Sequence, residues 1–141
     1  MKLSKTSAHA ALAVAYLAGL PSDTPIQARQ IAEHLGIPTD SALKILQAMV
    51  RQRIIQSQLG RAGGYMLTRP AQQVTLLEIV EAIDGPISAA LPIRADQGAK
   101  SIGLEKLSRI CENVAERLRA ELTRFSVADL TPDTATLRVA G

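Results

Sequence analysis

Apolar residues recur along this chain at helical spacing, give way to strand-like alternation in a short central stretch, and then return to the helical period. Between Ser4 and Leu20, residues Ala8, Ala11, Leu12, Ala15, Tyr16 and Gly19 fall three and four apart, behind a Ser4 or Thr6 able to cap free N–H groups, which predicts a first helix. Pro21 to Pro25 reads as a turn. A short second helix is expected over Gln27–Leu35, with Ala28, Ile31, Ala32 and Leu35 on one face and Gly36 where a helix end prefers a left-handed residue. A third, from about Thr39 to Arg53, carries its buried stripe on Ala42, Ile45, Leu46 and Met49.

Two short helices separated by Gly36-Ile37-Pro38 have the form of a helix-turn-helix, in which Ala32 lets the helices cross closely and Ile37 plugs the space between them. The alternating segment follows directly. Ile54–Leu59 and Tyr65–Arg69 read as two strands joined by Gly60-Arg61-Ala62-Gly63-Gly64, whose glycines permit a tight hairpin. A hairpin after such a pair of helices is a wing. Its glycines do not form a phosphate-cradling loop, since no Gly-Lys-Ser/Thr run follows and the next element is a strand. Beyond it, Thr75 and Glu78 predict a capping box opening a helix to Asp84.

The last long helix is expected over about Leu104 to Val127. Leu104, Leu107, Cys111, Val114, Leu118, Glu121 and Phe125 recur at alternating steps of three and four, with Ile110 and Leu122 widening the stripe. That is close to a two-stranded seam, imperfect at Glu121, and predicts dimerisation through Leu104, Leu107, Ile110, Cys111, Val114, Leu118, Leu122 and Phe125. The alternative is packing within the chain. The resulting fold class is mainly α with a small β-hairpin: a winged helix-turn-helix over residues 1–84, a linker or sensor loop over 85–103, a dimerisation helix over 104–130 and a flexible tail over 131–141.

Charge sharpens the division. Residues 1–70 hold eight Lys/Arg against three Asp/Glu, whereas residues 71–141 hold eight against ten, so the first half is the one suited to a polyanion. Aromatics are limited to Tyr16, Tyr65 and Phe125, too few for a platform that stacks single-stranded bases. Ala8 to Leu20 is too short and too rich in alanine to span a bilayer and does not resemble a secretory signal, which predicts a cytoplasmic protein with no membrane partner. The single cysteine, Cys111, provides neither an intramolecular disulfide nor a multi-thiolate metal site, and its apolar neighbours favour a buried thiol over a redox one. Cys111 with His9 or His34 lacks a third catalytic member, so no enzyme is expected.

The residues Leu35-Gly36-Ile37, the run Ala42 to Arg51, and above all Ser57 through Pro70 followed by Val74 to Gly85 resemble the Rrf2 family of winged-helix regulators, which includes the IscR, NsrR and CymR types. The resemblance runs through residues 1–87 and resumes near Phe125 to Leu130. It implies a homodimer on a partly palindromic double-stranded operator, with each recognition helix in a major groove and each wing in the adjacent minor groove. Lys5, Thr39, Asp40, Ser41, Lys44, Gln47 and Arg51 then become the expected DNA-binding residues, with Gly60, Arg61, Gly63, Gly64 and Tyr65 of the wing. Arg61 at the wing tip suits the negative potential of a narrow minor groove.

Departures from the family pattern carry information too. Leu59 stands where many members have arginine, and Leu43 where the cluster-binding IscR type has an acidic residue, so an operator unlike that of IscR is expected. Cluster-binding relatives supply three closely spaced cysteines from the region of residues 85–103; none occurs here, and no iron-sulfur cofactor is expected. Regulation then falls to a small-molecule effector or to a regulatory protein docked on residues 85–103, as in the CymR type, the latter being the alternative to a purely DNA-directed role.

Overall fold

The strongly periodic segments form helices, as a computed structural model of the chain shows for residues 1–93 and 102–132. In order these are α1 (Lys5–Ala18), α2 (Ala28–Leu35), α3 (Thr39–Arg51), the strands β1 (Ile55–Gln58) and β2 (Gly64–Leu67), α4 (Leu76–Asp84) and α5 (Ile102–Arg124), with 3-10 turns at Ala71–Gln73 and Val127–Leu130.

The core is built where the sequence stripes converge. Ile31 of α2 and Ile45, Leu46 and Met49 of α3 are buried together with Val14, Ile54, Ile55, Val74 and Ile79. Each such side chain contributes about 1.5–3 kcal/mol on leaving water. In α1 the buried face is Ser7, Ala10, Ala13, Val14 and Leu17, rotated from the expected Ala8, Ala11, Leu12, Ala15 and Tyr16; Leu12 is half exposed. Alanine occurs on every side of this helix, so its periodicity does not single out one face.

Hydrogen bonds fix the helix ends. Ser4 is the N-cap of α1, accepting from the Ser7 amide at 3.0 Å, and the Ser4 and Ser7 hydroxyls donate to the Asp84 carboxylate at 2.9 and 2.6 Å. The end of α4 is thereby tied to the start of α1, where the helix dipole favours a negative charge. The expected capping box of α4 is present: Glu78 N donates to Thr75 Oγ1 at 3.2 Å and Thr75 N to Glu78 Oε2 at 2.8 Å. Arg69 adds an ion pair to Glu78 at 2.6 Å. Burial acts to raise the Glu78 pKa, but the hydrogen bonds from Arg69 and Thr75 outweigh it and hold the carboxyl below its ordinary value.

Several boundaries differ from the sequence expectation: the strands are Ile55–Gln58 and Gly64–Leu67 instead of Ile54–Leu59 and Tyr65–Arg69, the first helix stops at Ala18, and two further helix ends shift for visible reasons. The third helix ends at Arg51 because Arg53 takes a left-handed φ of 58°, letting Ile54 N donate to Met49 O at 3.0 Å and turning the chain into β1. The last helix ends at Arg124, after which the chain folds back: Leu76 N donates to Phe125 O and Val127 N to Val74 O, both at 2.9 Å. Val127 is fully buried in the core of the winged domain. The end of the expected 104–130 helix is therefore a return segment. Of the expected 85–103 linker and 131–141 tail, residues 94–101 and 133–141 lie outside the described residues.

Candidate nucleic-acid interface

The geometry of the turn between α2 and α3 starts with Gly36, whose φ of +67° is a conformation that side chains resist. It allows Ile37 N to donate to Ala32 O at 3.0 Å, and Pro38 then opens α3 in an extended conformation. Because Ala42, Ile45, Leu46 and Met49 anchor the inner face of α3, the opposite face presents Thr39, Asp40, Ser41, Lys44, Gln47 and Arg51 to solvent. All six are exposed, as the sequence predicts.

The wing is held beside this face by three strands' worth of contact. β1 and β2 pair antiparallel in the register Ile55↔Leu67, Gln56↔Met66, Ser57↔Tyr65 and Gln58↔Gly64. Tyr65 also exchanges both backbone hydrogen bonds with Ile26, at 2.8 and 3.0 Å, which makes Ile26 a one-residue third strand. A single residue between Pro25 and Gln27 gives no alternating pattern, so sequence reasoning missed it.

The wing residues divide by role. Leu59, Gly60, Arg61 and Ala62 are exposed at the tip. Gly63 is buried, and a Cβ there would lie 2.1 Å from Gln58 O; at Gly64 a Cβ would lie 2.5 Å from the Ile26 backbone. These two glycines build the turn and let it dock closely on Ile26. Tyr65 is half-buried and, with Ser57, Gln47 and Arg51, lines a shallow groove between wing and recognition helix. Ser57 was not among the expected site residues.

A second groove flanks α3 on its other side. Lys5 from the first turn of α1 meets Ser41, Lys44 and Arg51 there, so the structure unites an isolated N-terminal lysine with the helix-turn-helix. His9 also lines it. None of Lys5, Lys44, Arg51 and Arg61 enters an ion pair among the described residues. Their charge remains available to a polyanion. His34 is elsewhere, stacked on Tyr16 with ring centroids 3.9 Å apart.

The expected seam of α5 is partitioned. Leu107, Ile110 and Val114 are exposed, Val114 and Ile110 to 59%, whereas Leu122 is buried against its own chain and Phe125 lies beyond the helix end. Leu104, Cys111 and Leu118 are half-buried, and Ile110, Cys111, Val114 and Leu118 form a groove with residues 87–91. Arg119 Nη1 donates to Ile87 O at 2.5 Å and holds that segment along the helix. Cys111 is thus a half-buried thiol, not the buried core residue anticipated.

A helix-turn-helix whose exposed recognition face is flanked by a hairpin wing defines the winged-helix class of transcriptional regulators. Residues 3–133 match the Rrf2 family, described as iron-dependent transcriptional regulators, and the chain belongs to that family. BadM of Rhodopseudomonas palustris, named as a helix-turn-helix-type transcriptional regulator, is 31% identical over 115 residues, covering 82% of this chain and 73% of its own. The transcriptional repressor NsrR of Streptomyces coelicolor is 26% identical over 108 residues, 77% of this chain and 72% of that one. Among solved structures, CymR of B. subtilis, described as the global cysteine regulator, superimposes with a TM-score of 0.74 at 17% identity over 92% of this chain and 95% of that one. T. potens IscR gives 0.70 at 18% identity over 100% and 89%. These likenesses establish the fold; function rests on the family match. No helix among the described residues is long and apolar enough to cross a membrane.

The family description raises iron, and the donors present do not fit a cysteine-held cluster. The sequence has one cysteine, half-buried on α5. Among the described residues no three His, Cys, Asp or Glu side chains are grouped to hold a metal ion.

Proposed function

We propose that the chain is a cytoplasmic, homodimeric repressor that binds a double-stranded operator with α3 in the major groove and the Arg61 wing tip in the minor groove. The observation that carries this reading is the exposed set Lys44, Gln47 and Arg51 on α3, flanked by Lys5 and Arg61, with no carboxylate neutralising any of the four cations among the described residues. Cations position phosphates, while Gln47 and the arginines are of the types that reach base edges. The exposed stripe Leu107, Ile110 and Val114 supports association through α5, which would fix two recognition helices at one half-site spacing. The lone cysteine supports regulation without an iron-sulfur cluster, and the name of NsrR supports repression.

Selection of bound duplexes from random sequence, followed by binding over a salt series, tests this. A partly palindromic consensus and a steep negative dependence of log affinity on log salt are expected. Absence of salt-dependent duplex binding contradicts the reading.

A further inference from the structure

The groove between α1 and α3 has a volume of about 460 Å³ and is closed on its third side by the last turn of α4. Its rim and floor differ in chemistry. Lys5, His9, Lys44 and Arg51 line the rim and no carboxylate lines any part of it. The floor is apolar, made by Ile37, Ile45, Ala48, Ala82 and Ile83. Ile45 and Ala48 are 4% and 7% exposed and belong to the core, so this floor is a fixed surface.

A phosphodiester satisfies the rim alone. It leaves the floor wet, whereas an alkyl or aryl group laid on that floor releases water in proportion to the apolar area covered. The volume falls within the range of small-molecule sites, which pair an apolar lining with a few fixed polar groups. A carboxylate is the natural head group, because Arg51 offers a planar guanidinium and Lys44 and Lys5 a second charge. From this combination we infer that the groove binds a small organic anion, a carboxylate carrying an apolar body, and that its occupancy opposes operator binding by engaging Lys44 and Arg51. The second half rests on the DNA-binding reading above; the first does not. Linkage makes the opposition reciprocal, so the operator must weaken the anion by the same factor.

Amide chemical shifts of the full chain are followed during titration with octanoate, with uncharged octanamide and with inorganic phosphate. Saturable shifts at His9, Ala48 and Ala82 are expected with octanoate, none there with octanamide, and none at Ala48 and Ala82 with phosphate. Saturating octanoate should lower affinity for the selected operator about tenfold. Ala82→Leu, which fills the floor, should abolish octanoate binding while leaving operator affinity within about twofold. The wild-type titration decides the site even if that variant fails to fold. Absence of saturable shifts, or equal responses to phosphate and octanoate, overturns the site. Octanoate binding with unchanged operator affinity overturns the coupling. Failure of the ligand-free chain to bind any duplex refutes the DNA-binding reading and the coupling together, and the titration still decides the site.

Discussion

The winged domain and α5 treat their apolar stripes in opposite ways. In α2 and α3, Ile31, Leu46 and Met49 are at most 1% exposed, whereas α5 leaves Leu107 44% and Ile110 and Val114 59% exposed. The first region completes its own core and points its polar face outward. Among the described residues the second buries only Ala115 and Leu122 against its own chain and leaves an apolar strip exposed along its middle. Similar helical periodicity therefore has two outcomes: one stripe folds the domain, and the other stays exposed, as the proposed dimer seam requires. Contiguous exposed apolar patches are the usual mark of interaction surfaces.

The largest expected effect breaks that contrast at its centre. Val114→Lys places a charge on a side chain already exposed in the single chain, so the fold is retained while two ammonium groups meet across the proposed seam. Association should weaken by ~3 kcal/mol or more, and operator affinity should fall on the order of a hundredfold, toward the nonspecific level. Sedimentation and duplex binding on one sample, with circular dichroism as the folding control, provide the measurement. Leu118, half-buried against residues 87–91, is a poorer test because its replacement also disturbs the chain's own packing.

Gly64→Ala strikes the other region. Its new Cβ would meet the Ile26 backbone at 2.5 Å, so the third strand must separate from β2. A loss of about 2–3 kcal/mol is expected, read as a fall in Tm of roughly 8 °C or more, with the oligomeric state unchanged.

How far these regions were legible follows from the same contrast. The stripes of α2 and α3, the left-handed Gly36 and the Thr75–Glu78 box are local patterns, and the sequence displays them within a few residues. The contacts it concealed are long-range. Asp84 receives hydroxyl hydrogen bonds from Ser4 and Ser7, Val127 returns to Val74, and Ile26 pairs with Tyr65, none of which has a periodic signature. The alanine-rich α1 gave no reliable face, which hid the meeting of His9 with α3, while Lys5 is placed beside α3 in the sequence only through the family resemblance. The apolar spacing of α5 was legible, but spacing alone could not tell Leu122, covered by its own chain, from Val114, which is open.

A smaller effect sharpens the role of the wing. Arg61→Ala should weaken operator binding about tenfold and reduce the salt slope by about 0.9, one phosphate's worth, without changing stability. Unchanged affinity across the salt series would remove the wing tip from the interface.

The smallest effect concerns acid stability. Because the folded-state pKa of Glu78 lies below its ordinary 4.5, the ionised form is favoured by folding. Its stabilising contribution is complete above the ordinary pKa and is lost as pH falls through the lower folded value. The pair is partly exposed, so solvent screening limits this to ~1 kcal/mol or less. Glu78→Gln should flatten the denaturation midpoint between neutral pH and the acid limb, and an unaltered profile would show that other groups control it.

Both regions meet in one quantity, the number of chains on one operator. Sedimentation equilibrium of the wild-type chain with a selected duplex, at concentrations well above the dissociation constant, measures it directly. The account predicts two chains per duplex, with the Val114→Lys variant failing to reach that complex under the same conditions. One chain per duplex at full specific affinity would contradict it.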